Sequence, residues 1–173
     1  MRKQPDFDKV FRDYFGESPK KVTYVLRHGP DFYHDIVFLC TLVHDARFCP
    51  NDLTLRGTRL TIPIKRDCWE IPLVSYSLNS GEMYFVHSRI TISPVLSITW
   101  EYNVRRSFGK DVEMELQDIW LNPDIDCDTG QTSLTLAFFD CKCTIETIYN
   151  DLQLRVTDLE VPYLRSKKKT GKQ

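Results

Sequence analysis

An arginine and a histidine side by side at the end of an apolar run can do phosphoryl chemistry. The run Val25-Leu26-Arg27-His28-Gly29 has that form. A neutral imidazole is a nucleophile near pH 7, and a guanidinium fork stabilises the charge on a transferring phosphoryl group. A second histidine, His87, lies in Phe85-Val86-His87-Ser88. The plainer reading is a strand-end Arg and His facing solvent before a turn.

The Arg27-His28-Gly29 run resembles the start of the histidine phosphatase superfamily, and Phe85-Val86-His87-Ser88 is similar to its second-histidine strand. The resemblance implies that His28 attacks phosphorus, Arg27 holds phosphate oxygens and His87 completes a phosphate-ester hydrolase. It covers only these few residues. Pro30 stands where that family usually has a polar residue. The interval from His28 to His87 is short for the helices and second arginine expected between them. That family also has a largely parallel sheet, whereas the chain after His87 alternates as antiparallel strands do.

His44-Asp45 resembles the metal-binding dipeptide of HD-type phosphohydrolases. Those are all-helical and need further His and Asp residues, of which the later chain offers only His87 as histidine. A helix C-terminal His interacting with the end dipole is the simpler reading. Cys40 and His44 share a helix face at i, i+4, and Cys49 follows. Together they are the only metal set to consider, and a structural zinc would want a fourth ligand. The chain has no Cys-x-x-Cys pair, so no metal and no cofactor is expected.

Arg66-Asp67-Cys68-Trp69-Glu70 is a polar cluster around a tryptophan. Arg and Trp are typical interface hot-spot residues, so Arg66, Asp67, Trp69 and Glu70 are the candidate binding set. The alternative is a strand-end ion pair packed over an indole. Glu101, Glu113 and Glu115 fall in the polar phases of two strands. Their clustering would permit acid–base work, and solubility is the competing reading. Lys167-Lys168-Lys169 and Lys172 make a short basic tail with almost no apolar content.

The elements that would position these groups are mainly strands. Cys141, Cys143, Ile145 and Tyr149 share one phase, and Lys142, Thr144 and Glu146 the other. Leu152, Leu154 and Val156 repeat the pattern after a turn at Asn150-Asp151. Leu134 to Phe139 is apolar on both faces apart from Thr135 and reads as a more central, more buried strand. Leu53–Leu55 and Leu60–Ile64 flank a hairpin turn, and Pro63 pushes its strand towards an edge. Val22–Leu26 and Trp69–Ser77 are further strands. Tyr84, Val86, Ile90 and Ile92 share a phase, as do Leu96, Ile98, Trp100 and Tyr102, with Pro94 interrupting. Val112, Met114, Leu116 and Trp120 alternate with Glu113, Glu115, Gln117 and Ile119. Asn122 to Gln131 is a polar loop. Helical spacing predicts helices over Asp6–Phe15 and Asp31–Arg47, the second capped by Asp31.

These readings imply an α+β, mainly β fold: an antiparallel β-sandwich or curved half-barrel of about eight strands with two N-terminal helices. Residues 1–164 are expected to form a single domain and 165–173 a basic tail. A chain of 173 residues can bury roughly 70% of its unfolded surface, so it needs no staple to fold. The formal net charge of −1 supplies no overall field favouring nucleic acid or an anionic membrane, and neither is expected as a partner. No run approaches the ~18 apolar residues of a membrane span. Six cysteines read as reduced thiols in a cytoplasmic protein, with Cys141 and Cys143 acting as small buried hydrophobes. The preferred reading is a non-enzymatic, cytoplasmic β-rich binding or protein-interaction module whose protein partner is unknown. The alternatives are the phosphate-ester hydrolase and a carrier holding a small apolar ligand inside a curved sheet.

Overall fold

The computed structural model describes residues 20–27, 29, 32–68, 83–102, 112–139 and 141–165. The expected helix at Asp6–Phe15, the residues His28 and Asp31, the expected strand Trp69–Ser77 with Trp69 and Glu70, and the basic tail lie outside them. The elements in chain order are β1 (Thr23–Arg27), α1 (Phe32–Val43), β2 (Arg47–Phe48), β3 (Thr54–Arg56), β4 (Arg59–Asp67), β5 (Met83–Ser93) and β6 (Ser97–Tyr102). They continue with β7 (Met114–Leu121), β8 (Gln131–Phe138), β9 (Cys141–Ile148), β10 (Gln153–Asp158) and β11 (Tyr163–Arg165).

All pairings are antiparallel, and they join the strands into an eleven-stranded sheet with the order β1-β10-β5-β4-β2-β7-β8-β9-β6. β3 adds to β4 and β11 to β5. The path runs from β1 to β6 without closing into a barrel. The strands number more than the expected eight partly because β2 and β11 are two and three residues long. Segments that short cannot display an alternation, so only their ladder partners reveal them.

One-sided alternation is visible in the burial. Leu60, Ile62, Ile64 and Arg66 of β4, Val86, Ser88, Ile90 and Ile92 of β5, and Leu154, Val156 and Asp158 of β10 all point inward. β8 lies between β7 and β9 and buries Thr132, Leu134, Leu136 and Phe138 on one face, whereas on the other, expected to be apolar too, only Thr135 is buried and Phe139 is exposed. Cys141 and Cys143 are buried on one face of β9, and all six cysteines are free thiols. One hydrophobic cluster draws on both halves of the strand path and on α1.

The tight turn read at Asn150-Asp151 and the interruption read at Pro94 both carry the chain across the path. A short 3₁₀ turn at Tyr149–Asp151 follows β9, yet β9 pairs with β8 and β6 while β10 pairs with β1 and β5. Ser93-Pro94, a cis peptide, likewise separates β5 from β6, which lie on different halves. The Arg56–Arg59 turn is a true hairpin, with Gly57 at φ 58, a value that favours glycine. Pro63 faces Arg89 on β5, and its other side falls between the stretches of β4 covered by β3 and β2. The proline thus occupies a local edge within an interior strand.

One boundary and one strand face differ from expectation. The second helix ends at Val43 rather than Arg47. Asp45 takes φ 63 and its N–H bonds to the Leu116 carbonyl, which turns the chain into β2. In β7 the register shifts between Leu116 and Asp118. This bulge exchanges the faces beyond it, so Ile119 and Leu121 are buried and Trp120 is exposed, the reverse of simple alternation.

Candidate functional site

Arg66, Ser88 and Asp158 form a polar group in the apolar face of three neighbouring strands. Arg66 and Asp158 side chains are both 0% exposed. Arg66 Nη2 donates to Asp158 Oδ1 at 3.0 Å and to Oδ2 at 3.3 Å, and Arg66 Nε donates to Ser88 Oγ at 3.2 Å. Ser88 Oγ donates in turn to Asp158 Oδ1 at 2.7 Å. The Val22 N–H donates to Asp158 Oδ2 at 3.2 Å, while the Asp158 N–H donates to the Val22 carbonyl. Register explains the convergence: Ser88 faces Asp158 on β10 and Ile64 on β4, two residues from Arg66. A buried arginine is tolerated only when its donors are met, and the fork geometry suits a carboxylate. This group ties β4, β5 and β10 together and joins them to the residue before β1. Of the sequence-derived binding set, Arg66 is therefore an internal strut, while Asp67 is half-buried at the end of β4.

The sequence missed Ser88 and Asp158 although a signal was present. Each occupies the apolar phase of its strand, between Val86 and Ile90 in one case and after Leu154 and Val156 in the other. One polar residue in the inward phase of three separate strands points to a buried network.

Of the phosphatase set, His28 lies outside the described residues, and Arg27 and His87 are not brought together. Arg27 faces Gln153, which faces Ser93, whereas His87 lies six residues away on β5, about 20 Å along the strand at ~3.4 Å per residue. His87 instead contacts Glu160 through Nδ1, and its ring lies 6.3 Å from that of Tyr163. That hydrogen bond is the main reason the Glu160 carboxyl is held below its ordinary value.

Cys40, His44 and Cys49 do not converge either. The Cys40 thiol donates to Asp118 Oδ1 at 2.8 Å, and burial followed by that bond pushes it up to about 11. His44 Nδ1 lies 3.0 Å from Asp45 Oδ1. Among the described residues no three His, Cys, Asp or Glu side chains are placed to hold a metal ion. Glu101 lies on β6 beside Lys142 at 3.0 Å, apart from Glu113 and Glu115. Those two stand together at the start of β7, each beside a cation, Lys65 at 2.6 Å and Arg47 at 3.9 Å, which face one another across the β2–β4 ladder.

A cleft of about 510 Å³ lies at the β3–β4 hairpin, lined by Arg56, Thr58, Arg59, Thr61, Ser93, Pro94 and Asp151. Apart from Pro94 its lining residues are charged or hydroxylic and it is open to solvent, unlike the enclosed apolar interior that a carrier of small apolar ligands requires. The loop at 122–131 is pinned by its own side chains. Asp126 Oδ1 accepts the N–H groups of Asp128 and Thr129, each at 2.9 Å, and these bonds, Thr129's foremost, hold its carboxyl below the usual range.

At the β6 end an aromatic series runs from the core to solvent. The Phe48 and Phe138 rings lie 5.1 Å apart, Phe138 and Trp100 stack at 5.9 Å, and Trp100 and Tyr102 stack at 6.2 Å. Tyr102 is half exposed, and Phe139 on the β8–β9 turn is 73% exposed. Tyr102 faces Cys141 across the ladder, which places it beside that turn. Among the described residues no helix is long and apolar enough to cross a membrane. No known protein family, curated protein or solved structure matches this chain.

Proposed function

We propose that the chain is a non-catalytic protein-interaction module of a reducing, cytoplasmic compartment. The observation that carries this reading is the aromatic series Phe138–Trp100–Tyr102 with Phe139 beside it. Aromatic side chains rooted in the core and open to solvent at one end are the usual anchors of protein interfaces, because they bury large area at little entropic cost. Free thiols in the core, Cys68, Cys141 and Cys143, support the choice of compartment. A single hydrophobic cluster shared by both halves supports one domain over residues 1–164, with the sheet wrapped over itself like a sandwich, and a basic tail at 165–173. Trp69 and Glu70, which follow β4 in the chain, remain a second partner-facing candidate.

A photo-crosslinking residue at position 139, expressed in the native host, tests the reading. A discrete crosslinked protein that is lost on Tyr102→Ser, with the unfolding midpoint unchanged, is the expected result. A hot-spot aromatic contributes about 2 kcal/mol or more, so capture should fall roughly thirty-fold. Equal capture by the Tyr102→Ser variant would refute the assignment of this surface.

A further inference from the structure

We propose that the outer face of β1, β10, β5, β4 and β3 binds the phosphate backbone of a single-stranded nucleic acid. This goes beyond the interaction reading above and uses a different surface. The net charge of −1 conceals a segregated distribution. Arg27, Arg56, Arg59, Arg89 and Arg155 are all exposed, and all stand in the outward phase of their strands. Among the described residues none of the five forms an ion pair. Acidic residues on this half are few: one stands at the cleft, and the others lie away from the arginines, with Asp67 at the far end of β4. Asp151 is on the cleft wall, Glu160 is engaged with His87, and Glu113 and Glu115 lie beside Lys65 and Arg47.

Register fixes the pattern. Arg155 faces Val25 and Thr91, and Arg89 faces Thr157. Arg27, Arg155 and Arg89 therefore descend three neighbouring strands as diagonal neighbours, about 7–8 Å per step. Arg56 and Arg59 face one another across the hairpin and line the cleft together with Thr61 and Ser93. Ser93 faces Gln153, which faces Arg27, so the cleft continues directly into the arginine diagonal. From β3 to β1 the arginines span four strand spacings, about 19 Å at ~4.8 Å each. One phosphate group cannot reach across that distance, whereas an extended polyanion can.

The groups between the arginines decide which polyanion. Most are Thr23, Thr61, Thr91, Thr157, Ser93 and Gln153, which offer hydroxyl and amide donors suited to phosphate and sugar oxygens, and Val25 opposite Arg155 and Pro63 opposite Arg89 are the apolar members. A membrane-binding face would carry large apolar side chains to insert, whereas Val25 and Pro63 are small; an acidic protein interface would carry a central aromatic anchor, whereas Phe85 and Tyr163 sit at the end of β5 away from the cleft. Arginine forks on a sheet surface suit a backbone without requiring base readout.

Fluorescence anisotropy of labelled U20 and dT20 oligonucleotides tests the proposal on the full chain. The wild-type protein should bind in the micromolar range. The log of its affinity should fall with log salt at a slope near −3.5, taking about −0.7 per arginine. The variant Arg27→Gln/Arg89→Gln/Arg155→Gln should bind at least ten-fold more weakly, with a slope near −1.4 on the same rule and an unchanged unfolding midpoint. Should the triple variant unfold, Arg89→Gln and Arg155→Gln measured singly should each weaken binding two- to three-fold, taking about ten-fold shared over three arginines. Affinity unchanged in the arginine variants would overturn the proposal. So would loss of binding in Lys167→Ala/Lys168→Ala/Lys169→Ala/Lys172→Ala alone, or co-sedimentation with phosphatidylserine vesicles without oligonucleotide binding.

Discussion

Replacing Asp158 by alanine should leave a buried arginine without its counter-charge. In the folded protein the Asp158 carboxylate accepts bonds from Arg66, Ser88 and the Val22 N–H, and neither ionic side chain touches solvent. Breaking a buried pair by removing one partner costs about 3–5 kcal/mol, chiefly because the remaining charge is desolvated and unmet. For a domain of this length each kcal/mol moves the melting point by about 2–4 °C, so the expected fall is roughly 6–20 °C. The companion variant Arg66→Met/Ser88→Ala/Asp158→Leu removes the whole group. It should recover most of that loss, because apolar replacement of a complete buried pair is often neutral or stabilising. Urea unfolding followed by circular dichroism, with thermal melts alongside, measures both. A fall below about 3 °C for Asp158→Ala would refute the argument on the same scale. A triple variant as unstable as the single would refute it too, since it would place the cost in packing rather than in an uncompensated charge.

Two further outcomes follow from the local chemistry. Asp126→Ala should lower the melting point at pH 7 more than at pH 3. The folded carboxyl is depressed, so its stabilisation is present above the unfolded carboxylate value and disappears as pH falls through the folded one; an equal deficit at both pH values would contradict this. Iodoacetamide at pH 8, read by peptide mass spectrometry, should label exposed Cys127 well before Cys40 and Cys143, whose thiols burial pushes up to about 11 and about 12. Early labelling of Cys143 would show that β9 opens in the native state.

Much of the fold was legible because strand periodicity is local. The faces of β4, β5, β9 and β10, the hairpin at Gly57 and the interruption at Pro94 all follow from residue types within a few positions of one another. The face of Trp120 was not legible, because a bulge is a mismatch with a partner strand and leaves no mark on one strand alone. β2 and β11 escaped for the same reason. The candidate site followed the same division. His28, Arg27 and His87 suggest phosphoryl chemistry as letters, but the separation of Arg27 and His87 depends on strand pairing. Arg66 was visible as a polar residue beside a tryptophan, yet its partner Asp158 lies 92 positions away.

Sequence by itself determined that this chain builds one-sided antiparallel strands, because side-chain direction alternates along any extended backbone. Tertiary structure alone decided which strands became neighbours. Two short turns send the chain across the path, so β10 lies between β1 and β5 rather than against β9. That choice brings Arg66, Ser88 and Asp158 into one buried group and aligns Arg27, Arg155 and Arg89 on one exposed face. Loop closure costs little more for distant strands than for near ones, so burial of the apolar faces, rather than order in the chain, selects the pairing.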